Sequence, residues 1–178
     1  MSSSTQAGAG PATDAGTSAD AACVSRQVLT FVLGSETYGV DILRVQEIRG
    51  WAAVTKLPQS PPHVLGVLNL RGSIVPIVDL RMRLDLERAE YTAITVIIVL
   101  SVVSGSTRRD LGVVVDGVSD VVDVSDSSVR PAPDLGRSAA SAYIRGLVPV
   151  ADRMVVLLDI DRLIGADLAT LAAADEAA

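Results

Sequence analysis

Val28-Leu-Thr-Phe-Val-Leu33 matches Thr95-Val-Ile-Ile-Val-Leu100 at an offset of 67 residues. Gly39-Val40 and then Val45-Gln-Glu-Ile48 return as Gly112-Val113 and then Val118-Ser-Asp-Val121, at an offset of 73. Gly66 through Asp79-Leu80 returns as Gly146 through Asp159-Ile160, at an offset of 80. In that last pair Ile74-Val75 matches Met154-Val155, and Ile77-Val-Asp79 matches Leu157-Leu-Asp159. The offsets rise in order, so each step is a loop lengthened by six or seven residues. Three segments that keep their order and their acidic positions point to a duplicated module.

The runs themselves are short, β-branched and bounded by turn residues. They cover Val28–Leu33, Tyr38–Ile42, Val45–Ile48, Val67–Leu70, Ile74–Val78, Ile94–Val103, Leu111–Val115, Val118–Val124, Ile144–Val150 and Met154–Ile160. Such runs are the signal of a small barrel or sandwich. No helical segment alternates with them, which argues against a parallel βαβ sheet. Each copy has about five strands, and a flat sheet that small leaves two sticky edges. Closing each copy into a barrel removes the edges. Short helical turns are expected at Pro62–Leu65 and Leu80–Leu84. The one longer helix is expected at the end, where Ile160, Ile164, Leu168 and Leu171 fall on a single stripe.

The remaining composition bounds the function. Residues 1–24 are rich in Ser, Ala, Gly and Thr and have little to bury, so a disordered tail is expected there. A net charge of −6 argues against nucleic acid and against an anionic membrane surface. Aromatics make up only 3 %, too few for a base-stacking platform. The longest apolar stretch, Ala93 to Val103, is shorter than the ~20 residues of a membrane-spanning helix. The start of the chain lacks the basic and apolar regions of a secretory signal. A single cysteine, Cys23, excludes an internal disulfide and fits a reducing compartment, so a cytoplasmic location is expected. One cysteine and one histidine (His63) cannot make a structural zinc site without many carboxylates. No phosphate loop and no nucleophile turn are present, and His63 in Ser-Pro-Pro-His reads as a loop residue. No metal, no cofactor and no catalytic residue is expected. Asp79 and Asp159 stand where a strand becomes a helix and read as caps.

Three residues fit neither core nor turn. Glu47 interrupts an apolar strand, and Asn69 and Arg71 alternate in Leu68-Asn-Leu-Arg-Gly72, which would place them on one strand face. An arginine suits a carboxylate partner. The plain alternative is an exposed surface pair. The functional reading is a polar contact set at the rim of an apolar patch, as at protein interfaces.

Tyr38-Gly-Val-Asp-Ile-Leu-Arg-Val-Gln-Glu-Ile-Arg-Gly50, Gly66-Val-Leu-Asn-Leu-Arg-Gly-Ser-Ile-Val-Pro-Ile-Val-Asp-Leu80, Val114-Val-Asp-Gly-Val-Ser-Asp-Val121 and Val129-Arg-Pro-Ala-Pro133 together resemble the CheW family of bacterial chemotaxis coupling proteins. The likeness runs from about Val28 to Leu163. It implies a mainly β fold of two tandem five-stranded SH3-like β-barrels with short helical turns and a C-terminal helix. The domain is expected over 25–165, with barrel one at about 26–92 and barrel two at about 93–152. The final strand and helix, about 153–176, are expected to pack back on barrel one.

The resemblance also implies a non-enzymatic adaptor. Family members bridge the cytoplasmic tips of chemoreceptors to the regulatory domain of the histidine kinase CheA, and further CheW copies join them in rings. A location in the cytoplasm, recruited to membrane receptor arrays, follows. The alternatives are the same fold serving another receptor–kinase pair, for surface motility or gene regulation, and, from another class, a small barrel enzyme or oligonucleotide binder. Carried over residue by residue, the receptor and kinase interface comprises Val45, Glu47, Gly66, Asn69, Arg71, Gly72, Gly112 and Val121. Ile42, Arg130 and Leu135 carry over to the kinase or ring interface. Leu135 stands where an aromatic is expected in close relatives.

Overall fold

Every long apolar run becomes a strand, and the pattern of burial explains why the runs are continuous. A computed structural model describes Gly8 and residues 24–87, 90–133 and 139–176. The strands are β1 (Ser25–Leu33), β2 (Glu36–Asp41), β3 (Val45–Gly50), β4 (Val64–Leu70), β5 (Ser73–Asp79), β6 (Val96–Ser104), β7 (Thr107–Val115), β8 (Gly117–Ser125), β9 (Ile144–Val150) and β10 (Arg153–Leu158). A short helix α1 (Leu80–Arg83) follows β5, and α2 (Ile160–Glu176) follows β10. The expected helical turn at Pro62–Leu65 is not formed. Val64 and Leu65 already belong to β4, because Val64 pairs with Val78.

The strands make two five-stranded sheets, in the orders β8-β1-β2-β10-β9 and β3-β6-β7-β5-β4. Adding five to each strand number of the second order, modulo ten, gives the first, so the two sheets are copies of one topology. Neither sheet is one half of the chain, however. The expected division at about residue 92 is corrected by the hydrogen bonds. β1 and β2 pair with β8 to β10, while β3 to β5 pair with β6 and β7. Each repeat gives two strands to one sheet and three to the other. Repeats that resemble each other can exchange strands in this way without losing pairing partners.

Two isolated bridges draw the edges of each sheet together. Thr55 exchanges backbone hydrogen bonds with Val67 of β4, at 3.0 and 2.8 Å, and Arg130 does the same with Leu147 of β9, at 2.8 Å each. Both follow the strand at the opposite edge, β3 or β8, so each sheet curls into a barrel. We refer to these as the β6 barrel and the β1 barrel.

Inside the β6 barrel lie Val75, Ile77, Ile97, Val99 and Val114. Inside the β1 barrel lie Val28, Val124, Val148, Val155 and Leu157. The opposite faces of the same strands, with Leu29, Phe31, Leu33, Ile98, Leu100, Leu111 and Val113, meet in one shared core between the barrels. Strands buried on both faces need apolar residues at every position, and so they read as runs rather than as alternation. Ile160, Leu163, Ile164 and Leu168 of α2 close this shared core, with Leu171 half-buried.

The buried glycines mark close approaches. A Cβ on Gly112 would lie 2.5 Å from Ile77 Cδ1, and one on its repeat partner Gly39 would lie 2.5 Å from Val28 Cγ1. Cores packed to crystal density have no room for that atom.

Candidate functional interface

Gly66 is the most constrained residue of the site. Its φ of +148° is unfavourable for any other residue, and a Cβ there would lie 2.1 Å from the Thr55 carbonyl oxygen. Val67, next to it, makes the bridge to Thr55, so Gly66 is where the β6 barrel closes. From there β4 runs to the β4–β5 hairpin. Leu70 pairs with Ser73, leaving Arg71 and Gly72 as a two-residue turn with φ of 53° and 88°. Positive φ at both positions is the turn geometry that matches strand twist. The Asn69 side-chain oxygen accepts a hydrogen bond from the Gly72 amide at 2.9 Å and stiffens the tip. Arg71 therefore stands in the turn and not on the strand face beside Asn69, which corrects the reading from alternation. The side chain of Arg71 is 87 % exposed.

The turn brings Arg71 to Glu47 on β3, with Arg71 Nη2 3.6 Å from Glu47 Oε2. A bulge between Val45 and Glu47 interrupts the β3–β6 register here. Val45 is half-buried against the shared core. An exposed pair of this kind contributes ~0–1 kcal/mol to stability, so its reason must be sought elsewhere. Two isoleucines on these strands are exposed. Ile48 follows Glu47 and is 44 % exposed, and Ile74, 63 % exposed, is the cross-strand partner of Asn69. Glu47 pairs with Val99 of the barrel interior and Ile48 with Ile98 of the shared core, so the two side chains leave β3 on opposite faces.

The β1 barrel carries the equivalent exposed positions. Val121 (49 % exposed) is the repeat counterpart of Ile48, and Met154 (47 %) that of Ile74. Val121 lies on β8, paired with Leu29, in the sheet that does not contain Glu47 and Arg71. Ile48, Ile74 and Met154 were not singled out from the sequence. The repeat offsets of 73 and 80 from Val121 and from one another were the signal that could have found them.

The other site expectations separate. Gly112 is buried against Ile77 and Ile97 inside the β6 barrel, so it shapes the barrel from within and presents no surface of its own. Ile42 lies in a 3-10 turn, Ile42–Arg44, capped by Asp41, and is half-buried against the shared core. Arg130 is exposed and makes the bridge that closes the β1 barrel. Leu135 lies outside the described residues, as does the expected tail over 1–24 except for Gly8 and Val24.

The charged residues read as isolated caps turn out to be networked. Asp79 caps α1 through the Arg81 amide, binds the Arg81 guanidinium and accepts from Tyr91 Oη at 3.0 Å. Burial works against the charge of Arg81, but the hydrogen bond and field of Asp79, with the field of Asp116, outweigh it and raise its pKa. Burial, together with the field and hydrogen bond of Asp79, raises Tyr91 above its ordinary 10.0. Tyr91 stacks on Trp51 at 4.1 Å. His63 Nε2 lies 2.7 Å from Asp167 Oδ1 on α2, and Arg83 Nε donates to Asp167 Oδ2 at 2.9 Å. His63 is thus a fastening for the last helix.

Comparison with known proteins decides the family. The model of the CheW-like domain matches residues 27–167. The chain belongs to the CheW-like domain family. It is 44 % identical over 144 residues to the chemotaxis protein CheW of Klebsiella aerogenes, covering 81 % of this chain and 84 % of that one. It is 41 % identical over 136 residues to the CheW of Rhizobium meliloti, covering 76 % and 85 %. The crystal structure of the scaffolding protein TtCheW from Thermoanaerobacter tengcongensis superposes with a TM-score of 0.70 at 28 % identity, over 78 % of this chain and 87 % of that one. This CheW-like chain is accordingly a chemotaxis coupling adaptor of two SH3-like barrels, and it is not an enzyme. Among the described residues no helix is long and apolar enough to cross a membrane.

Proposed function

We propose that this adaptor bridges the cytoplasmic tips of methyl-accepting chemoreceptors to the regulatory domain of the histidine kinase CheA, and passes receptor control to the kinase. The observation that carries this reading is the set of repeat-related exposed apolar positions, Ile48 and Ile74 on one barrel and Val121 and Met154 on the other, with Asn69 and the Glu47–Arg71 pair on the first barrel. A bridging protein needs two docking faces on one body, and a duplicated body with exposed apolar positions on both barrels supports that reading. Apolar centres give affinity, while rim charges give specificity and association rate. Val45, Gly66, Gly72 and Gly112 shape and support the first face. Ile42, Arg130 and Leu135 belong to the kinase or ring contacts of this reading, where further copies of the adaptor join. The protein works in the cytoplasm and is recruited to membrane arrays, where multivalency makes weak single contacts sufficient.

The test is a pull-down of a receptor cytoplasmic fragment and CheA, with and without the adaptor, with ATP turnover followed in the same mixture. Kinase joining receptor only in the presence of the adaptor, with altered turnover, supports the bridge. Arg71→Ala is expected to keep the fold and lose receptor control. Normal control by that variant removes Arg71 from the interface, and no binding to either partner removes the bridge.

A further inference from the structure

The chain passes between the barrels at β2–β3 and again at β7–β8, and a charged pair sits at each passage. At the second passage Asp116 accepts from Arg81 Nη1 at 2.7 Å. Its other oxygen accepts from the Gly34 amide at the tip of the β1–β2 hairpin, at 2.6 Å, and its own amide donates to Val32 O. Arg81 belongs to the β6 barrel through α1, and Gly34 to the β1 barrel, so Asp116 is held from both sides of the seam. Asp79, on the end of β5, holds the rest of the guanidinium.

At the first passage Arg44 Nη2 donates to Asp161 Oδ2 at 2.6 Å, and Nη1 donates to Ser101 O at 3.3 Å. Asp161 Oδ1 accepts from the Val103 amide of β6. By the repeat offsets Asp161 is the counterpart of Arg81 (offset 80) and Ser101 that of Gly34 (offset 67), while Arg44 lies one residue from the counterpart of Asp116 (offset 73). Two matching places and a third displaced by one residue meet at both passages, with the charges exchanged. At one the helix supplies the arginine, and at the other it supplies the aspartate.

The shared core is apolar, and apolar contact is non-directional. It constrains the barrels by close packing alone, with no contact that has a direction of its own. A guanidinium fork with fixed hydrogen-bond directions does specify an angle. The two passages differ in strength of hold. The Arg81 side chain is 2 % exposed, whereas Arg44 and Asp161 are 31 % and 33 % exposed.

We propose that Arg81, clamped between Asp79 and Asp116, is a positioning residue that sets the angle between the two barrels and therefore between the two docking faces, with Arg44–Asp161 as the weaker second joint. This rests on the bridging function proposed above. It requires that coupling, and not binding to either partner alone, depends on Arg81.

The experiment uses the full chain with Cys23→Ser and spin labels at Gln27→Cys on β1 and Arg109→Cys on β7, both exposed positions. The distance between the labels reports the angle. Arg81→Lys keeps the charge and loses the fork. It is expected to broaden or shift the distance distribution and to lower receptor control of the kinase about tenfold, within the usual range of coupling between sites. Pairwise binding to CheA and to receptor fragment is expected to stay within about threefold, as for a residue outside both faces. Arg44→Ala, at the half-exposed joint, is expected to show the same broadening to a lesser degree. An Arg81→Lys protein that melts earlier but keeps the original distances and control overturns the proposal, because a purely stabilising role moves the melting temperature alone. If Arg81→Lys does not fold, unchanged distances in Arg44→Ala overturn it. If the unsubstituted protein fails to couple receptor to kinase, the bridging function falls, while the label distances still judge the joint.

Discussion

Gly66→Ala tests whether the β6 barrel is closed by the Thr55–Val67 bridge. The added methyl would sit 2.1 Å from the Thr55 carbonyl oxygen, which is backbone and cannot rotate away. The segment carrying Thr55 must therefore retreat and give up its two hydrogen bonds to Val67, of 3.0 and 2.8 Å. Each contributes ~0.5–1.5 kcal/mol net. A side chain at φ +148° adds strain of ~1–3 kcal/mol. The expected loss is about 2–6 kcal/mol, a large part of the ~5–15 kcal/mol that holds a typical domain. Gly72→Ala is the internal control. Its φ is also positive, at +88°, but a Cβ there meets nothing within 4 Å, so only strain of ~1 kcal/mol or somewhat more is expected. Urea unfolding followed by circular dichroism gives both values from the midpoints at a common slope. Hydrogen exchange at the Thr55 and Val67 amides adds the location. Equal midpoints for the two variants, or retained protection of both amides in Gly66→Ala, refute the closure argument.

Three further outcomes are expected. Ile164→Ala leaves a hole in the shared core at a fully buried position and should cost ~2–5 kcal/mol in the same urea experiment, with α2 losing exchange protection first. Arg71→Ala should change stability by less than about 1 kcal/mol, since the pair with Glu47 is exposed, and a larger loss would mean the hairpin tip depends on it. The raised pKa of Tyr91 means that the folded state holds the phenol proton more tightly than the unfolded chain does. This contribution is complete below pH 10 and is lost as pH rises through the folded value, so thermal melts from pH 8 to 11 should steepen downward above 10, and Tyr91→Phe should flatten that fall.

The sequence alone determined the strands, the duplication and the last helix, because these rest on local and periodic information. Burial of β1 and β6 on both faces is written in their unbroken apolar runs, and the stripe from Ile160 to Leu171 marks the face of α2. The stretches Tyr38–Gly50, Gly66–Leu80, Val114–Val121 and Val129–Pro133 together were likewise enough to identify the family. Only the tertiary structure decided which strands share a barrel. Repeats with similar strands pair equally well within a copy or across copies, so nothing local distinguishes the exchanged arrangement from two separate halves. The same holds for the interface. Glu47 and Arg71 stand out by type, yet their meeting depends on a bulge in β3 and a turn with positive φ, and the alternation rule misplaced Arg71. His63 read as a loop residue because its partner, Asp167, lies far along the chain. Long-range ion pairs leave no spacing to read, since their geometry exists only after the barrels have packed.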